Sequence, residues 1–375
     1  MPNILLIDDV EKSLNELQEA LTKRLANKQL QVKIWLPEEK EMAAAGGGAR
    51  EIFRKQLDAE TLFVVTDYDL TKTGVTGLFG STIVNWCKRE LIPVGDYSRG
   101  SQKELPDEPD QYEIRIPHEP EAAAKYIANV FQAILWFREK IEEQWETVQK
   151  KRSPSGGLAQ LLGRPLEESK FALYGVKLGA ANSALMERMS DDDAKEIGEA
   201  EREVMLEEER KKLLSYVLVH LLLNVVLRFP GPLLKGEDLA AFLGIAPSAL
   251  PEVEKLFQAA RYTGPFAGLY DIYWLTDVSS ILEGLKTPGV NLENLTSVGK
   301  MNREILEAHL HTKFARHDCE RCQGEEGGFI CPFTRRTTCQ REDCSVTSNA
   351  WVPQGARLCR IEKGFYEEWA PLLGF

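Results

Sequence analysis

Short apolar runs that end in acids or glycine alternate with amphipathic stretches along the first 125 residues. Asn3 to Asp9 (NILLIDD) is an apolar run closed by two aspartates. From Lys12 to Leu25, leucines recur at 14, 17, 21 and 25, the spacing of one helical face. QVKIWL (Gln31 to Leu36) predicts a second strand, Ala43 to Gly48 a loop and Arg50 to Leu57 a helix. LFVVTDYDL (Leu62 to Leu70) predicts the third strand and Gly80 to Arg89 a helix. LIPVGDYS (Leu91 to Ser98) and YEIRIP (Tyr112 to Pro117) follow as fourth and fifth strands. Five strands separated by helices predict an α/β domain over residues 1–135, a five-stranded parallel, doubly wound sheet with helices on both faces.

From Glu119 the period becomes that of one long helix, ending before Ser153-Pro154-Ser155-Gly156-Gly157, whose composition marks a linker. Residues 136–157 are therefore an extended helix and linker. Residues 158–310 read as an all-helical region with an acidic, solvated stretch at Ser190 to Glu209. The most apolar run, Leu213 to Leu227, is too short for a bilayer and contains His220 and Asn224, so it predicts a buried helix. RFPGP (Arg228 to Pro232) breaks it. Residues 311–375 have little periodicity and are rich in Cys, Gly, Thr and Arg, as a small domain folded around a metal would be.

A length of 375 residues exceeds one hydrophobic core, in keeping with several domains. The net charge of −12 excludes a global attraction to nucleic acid or anionic membrane, so such a contact would need a local patch. The Met-Pro-Asn start lacks a signal-peptide pattern, and the expected location is cytoplasmic, with no membrane partner. Cys87 is the one cysteine in the first 300 residues, whereas six fall in the last sixty. In a reducing compartment such a cluster indicates a metal site before it indicates disulfides.

Parallel sheets hold ligands outside the carboxyl ends of their strands. Asp8 and Asp9 end the first strand and Asp67 the third, so the three carboxylates converge on one rim. Their repulsion is relieved by a hard cation bound through oxygen, most simply Mg²⁺. With that cation in place, Asp67 could attack a phosphoryl donor.

Residues 1 to about 135 resemble a response-regulator receiver domain. The resemblance rests on IDD (Ile7 to Asp9), TDYDL, IPVGDYS and RIPHEPEA, in that order. It implies a flavodoxin-like sheet, Asp67 as phosphoacceptor and Ser98 as the residue that senses the phosphate. The same alignment puts Ile116 where receivers carry the lysine that pairs with the phosphoryl group, and strand alternation turns Arg115 to the other face. An uncharged Ile116 cannot offset an acyl phosphate, so the expectation is a degenerate receiver used for docking a protein partner. The loop after Asp69 (TKTGVTGLFG) is also longer and richer in glycine than a receiver's.

In HDCERCQGEEGGFICPFTRRTTCQREDC (His317 to Cys344), Cys319 and Cys322 form a CxxC followed by Gln-Gly, the shape of a zinc knuckle. Cys339 and Cys344 would complete a structural Cys₄ zinc site. Cys331, Cys359 and His317 stay open as substitute ligands, and an iron–sulfur cluster or free thiols as alternatives to zinc. Arg335, Arg336 and Arg341 lie among these cysteines, where they either contact phosphates or pair with Glu325, Glu326, Glu342 and Asp343.

EDLAAFLGIAPSAL (Glu237 to Leu250) has the cadence of a helix-turn-helix, but Pro247, Pro251, Glu252 and Glu254 fall where a DNA-reading helix would lie. A helical packing unit is the favoured reading, and nucleic acid is not the favoured partner. Tyr262, Phe266, Tyr270, Tyr273 and Trp274 are expected in a core, with an aromatic pocket as the alternative. His309 and His311 do not share a helical face and are read as structural.

The expected function is that of a prokaryotic signalling or regulatory protein. A receiver-like domain docks a partner, and the helical and zinc-binding parts give the output. By analogy alone, such combinations occur in multi-gene antiviral defence systems. The alternatives are a phosphorylation-dependent DNA-binding regulator and an enzyme with its site in the C-terminal half.

Overall fold

The computed structural model describes all residues except 26–29, 39–47, 76–77, 98–112, 151–154, 176–198, 287–296, 324–326, 348–351, 353 and 372–375. Ser98, Tyr112, Ser153, Pro154, Glu325, Glu326, most of the Ala43 to Gly48 loop and part of the acidic stretch lie outside the described residues. The chain divides into two compact units. The first holds the described residues of Met1–Gln102, Pro109–Gly157 and Val176–Leu221, and the second those of Leu158–Gly175 and Leu222–Phe375.

In the first unit, β1 (Asn3–Ile7), α1 (Glu11–Leu25), β2 (Gln31–Trp35), α2 (Ala49–Gln56), β3 (Thr61–Asp67), α3 (Gly80–Arg89), β4 (Val94–Tyr97), β5 (Glu113–Arg115) and α4 (Pro120–Lys150) follow in order. The five strands form one sheet in the order β2-β1-β3-β4-β5, every pair parallel. This is the flavodoxin-like arrangement, and its two central strands are buried along their whole length. Leu5, Ile7 and Val64 pack with Ile52 and Phe53 of α2 and Ile83 and Val84 of α3. Strand alternation gives Ile4, Leu6, Phe63 and Val65 to the opposite face. α1 buries Leu14, Leu17, Leu21 and Leu25, the four leucines of its stripe, and packs against α4. α4 also packs against α5 (Glu199–His220).

In the second unit the apolar run continues as a π-helix to Val226. β6 (Leu233–Lys235), α6 (Gly236–Leu243), β7 (Ile272–Trp274), α7 (Leu275–Leu285) and α8 (Val298–Leu310) then build a helical core. Leu239, Leu243, Val253, Phe257, Tyr273 and Leu306 are central to it. β6 and β7 pair antiparallel within this otherwise helical region. After α6 the chain forms only a short 3₁₀ turn (Pro247–Ala249), a four-residue helix (Leu250–Val253) and a second 3₁₀ stretch (Glu254–Ala260). Pro247 and Pro251 stand at the first turns of these pieces, so no long second helix follows α6 there. Tyr262, Phe266, Tyr273 and Trp274 are buried, with Tyr262 edge-on to Trp274.

The cysteine-rich part consists of β8 (Phe329–Ile330) paired with β9 (Thr337–Thr338), and β10 (Ser345–Thr347) paired with β11 (Arg360–Glu362), before α9 (Lys363–Trp369). No described helix is long and apolar enough to cross a membrane.

Candidate functional site

Among the described residues two clusters of candidate ligands form, one in each unit. In the first unit, β1 and β3 are neighbours in register, with Ile7 beside Thr66, so the residues just after Ile7 come level with Asp67. Oxygens of Asp8, Asp9 and Asp67 lie within 4.8 Å of one another. At that separation each pair of charges repels by about 3 kcal/mol at an effective dielectric of roughly 20.

Backbone amides fix the orientation of all three. Asp8 Oδ1 accepts from Val10 N–H (2.8 Å), Asp9 Oδ2 from Lys72 N–H (2.7 Å) and Asp67 Oδ1 from Tyr68 N–H (2.9 Å). Asp8 and Asp67 are only 5% and 4% exposed, so the repulsion is poorly screened by water. A cavity of about 170 Å³ opens beside them, lined also by Ser13, Glu16, Tyr97 and His118.

Gly80 sets the close approach of α3 to this rim. Its N–H donates to the Tyr68 carbonyl (3.0 Å), and an added Cβ would stand 2.6 Å from Tyr68 Cα and overlap the Asp67 carbonyl oxygen. Gly80→Ala is expected to cost about 1–3 kcal/mol, read as a lowered denaturant midpoint, because the backbone must shift at Asp67 itself. An unchanged midpoint would show that α3 is free to move.

The register also places Tyr97 of β4 opposite Asp67. Ser98, the residue that the receiver resemblance singles out, follows it in sequence but lies outside the described residues. Tyr97 donates its hydroxyl proton to the His118 carbonyl. Ile116 is buried against Gly95, where an added Cβ would overlap its Cδ1, and Arg115 is exposed. Among the described residues lining the cavity, the one nitrogen base is His118.

No family model, curated protein or solved structure matches this chain.

In the second unit, the sulfurs of Cys319, Cys322, Cys339 and Cys344 lie within 4.8 Å of one another, with Cys322 and Cys339 3.9 Å apart. Tetrahedral coordination with metal–sulfur bonds of about 2.3 Å sets sulfurs roughly 3.8 Å apart, so the spacing suits a four-thiolate site. The first arm is a turn closed by Gln323 N–H to the Cys319 carbonyl (2.9 Å), with Gln323 at φ 53°. The second follows from the β8–β9 hairpin, which delivers Cys339 directly after Thr338, and from a turn that closes Cys344 N–H on the Arg341 carbonyl (2.9 Å).

Burial pushes the Cys339 and Cys344 thiols up, so the apo cluster favours protonated sulfur and a cation is what would make thiolates there. Cys331 is buried but outside this set. Cys359 instead directs its sulfur toward the carbonyls of Gly355 (3.8 Å) and Pro230 (4.0 Å). His317 is buried with Nε2 3.5 Å from Thr337 Oγ1, and it too is outside the set.

The arginines among the cysteines are paired with acids. Arg335 reaches Glu237 and Asp238, Arg336 reaches Glu362 and Arg341 reaches Asp343. Of these, only Asp343 is among the nearby acids that the sequence offered. Glu237, Asp238 and Glu362 come from elements that folding brings in. Tyr97 and Gly80 were likewise missed, although a glycine opening a helix three residues after another, as in GLFG, is a usable signal of close approach.

Proposed function

We propose that this chain is a signalling or regulatory protein. Its first unit is a receiver-like docking domain that binds a divalent cation, and its second unit is an output module stabilised by zinc. The observation that carries the first half is the convergence of Asp8, Asp9 and Asp67 at the carboxyl ends of the two central strands. Two buried carboxylates and a third at the rim need a counter-charge, and Mg²⁺ with its preference for oxygen ligands supplies it.

The chemistry available to that cation is limited by what surrounds it. Ile116 is packed against Gly95 and the described residues lining the pocket include no lysine to stabilise an acyl phosphate on Asp67, so recognition of a protein partner is favoured over phosphotransfer. For the second unit, four sulfurs at tetrahedral spacing leave no open position for water, which favours structural over catalytic zinc.

Calorimetric titration of the full chain with Mg²⁺ or Mn²⁺ tests the first half. One cation is expected to bind, and Asp67→Asn is expected to weaken it by at least about tenfold, a loss of roughly 1.4 kcal/mol. Incubation with acetyl phosphate and Mg²⁺ is expected to leave the intact mass unchanged. A stoichiometric phosphoryl adduct lost in Asp67→Asn would replace docking with phosphorylation as the primary role, and failure to bind any divalent cation would overturn the metal assignment.

A further inference from the structure

A third candidate site stands at the start of α6, and its chemistry differs from that of both metal clusters. Lys235 ends β6 and immediately precedes α6. Arg335, in the turn between β8 and β9, donates through Nη2 to Glu237 Oε2 (3.0 Å) and Asp238 Oδ1 (3.3 Å) in the first turn of α6. Arg228 lies over Phe333, its guanidinium carbon 5.3 Å from the ring centroid, two residues before Arg335. Three separate segments of an acidic chain thus bring cations to one place.

Two of these cations have unused bonding capacity. Lys235 is half-buried, its Nζ 5.2 Å from the Tyr270 ring centroid. Among the described residues it has no ion-pair or hydrogen-bond partner. Arg335 Nη1 is buried and has no acceptor among the described residues, although Nη2 is fully engaged. A buried donor without an acceptor costs on the order of 1–3 kcal/mol; Arg335 Nη1 is such a donor, and with the unpaired Lys235 ammonium near it the place suits an anion.

Burial pulls Lys235 down, and the positive charges of Arg335 and Arg228 add to that, while Asp238 and Glu237 oppose it. Arg335 also holds a left-handed backbone, φ 59°, a conformation that costs an ordinary side chain of order 1 kcal/mol and is retained where the surroundings fix it.

We propose that Lys235 and Arg335, at the amino end of α6, form a binding site for a small phosphate-bearing anion. The ammonium supplies a point charge and Arg335 Nη1 directed N–H donors, and together they match a phosphoryl group with several acceptor oxygens. The helix end adds backbone dipoles of the same sign. Arg228 contributes positive potential from its stacked position on Phe333. A cavity of about 190 Å³, which Asp238 lines together with Leu234, Phe329 and Arg360, gives room for an apolar ester group. Inorganic phosphate and a phosphomonoester share the recognised chemistry.

The test uses the full, zinc-loaded chain at low salt, with inorganic phosphate and phenyl phosphate titrated separately by calorimetry and by thermal shift. Saturable binding of either is expected. Tighter binding of phenyl phosphate would assign the cavity to the ester group, and equal affinities would confine recognition to the phosphoryl oxygens. Lys235→Met is expected to weaken binding by about tenfold or more, and Lys235→Arg to stay within about threefold of the unmodified chain. Circular dichroism and melting confirm that each variant is folded. No binding up to about 10 mM of either anion, or equal binding by Lys235→Met and the unmodified chain, would overturn the proposal.

Discussion

Cys339→Ser is expected to lower bound zinc from one per chain toward none and to unfold the strands β8 to β11. Structural zinc supplies an apparent 10–16 kcal/mol or so in small metal domains, more than strands of two or three residues and the ion pairs of Arg335 and Arg336 contribute to this segment. Elemental analysis and amide hydrogen exchange read the result. Zinc should fall, and protection should vanish in the C-terminal strands while the five-stranded sheet keeps its own.

Cys331→Ser is the matched control, because its sulfur is outside the cluster. Thiol titration gives an independent count. Chelation should expose the four clustered thiols to a disulfide reagent. Cys359, whose thiol burial pushes up to about 12, should stay slow. Full zinc and unchanged protection in Cys339→Ser would end the four-thiolate assignment.

Gly244→Ala is expected to be the most damaging single methyl in the helical part, at about 2–4 kcal/mol. Gly244 follows α6 with φ +70°, a left-handed helix stop that a side chain strains. It also abuts the first turn of α8. An added Cβ would stand 2.9 Å from Gly299 Cα and overlap the Gly299 carbonyl, so α6 and α8 would have to separate. The Gly244 carbonyl accepts from His317 N–H (3.2 Å) and Arg303 Nη1 (3.3 Å), so that movement would also pull on the chain entering the cysteine cluster.

Urea unfolding should show the loss in the second unit's transition. Gly284→Ala, with nothing within 4 Å of its added Cβ, should be neutral or mildly stabilising. Similar midpoints for the two variants would remove the packing argument.

The doubly wound sheet was legible because periodicity reports burial directly. NILLI and TLFVVTD lack polar alternation since helices cover both faces, and the leucines of α1 recur at helical spacing since one face is packed. The cysteine quartet was legible for a related reason, as CxxC and CxxxxC are local arms whose geometry a few residues fix. The middle region was harder to read. The cadence of Glu237 to Leu250 belongs equally to a DNA-reading pair and to a packing unit, and only the short, proline-broken helices after Gly244 show what the chain does there.

What the sequence by itself determined is therefore the set of local periods and ligand arms: five strands, their covering helices, Asp8, Asp9 and Asp67 at strand ends, and two cysteine pairs. What only the tertiary structure decided is which distant groups meet. Strand register put Tyr97 opposite Asp67, and hairpin placement chose Cys339 and Cys344 over Cys331. The folding of β8–β9 against α6 joined Arg335 to Glu237 and Asp238 across nearly a hundred residues. Periodicity encodes the environment of each residue one element at a time, whereas the pairing of elements depends on long-range packing that no short window of sequence contains.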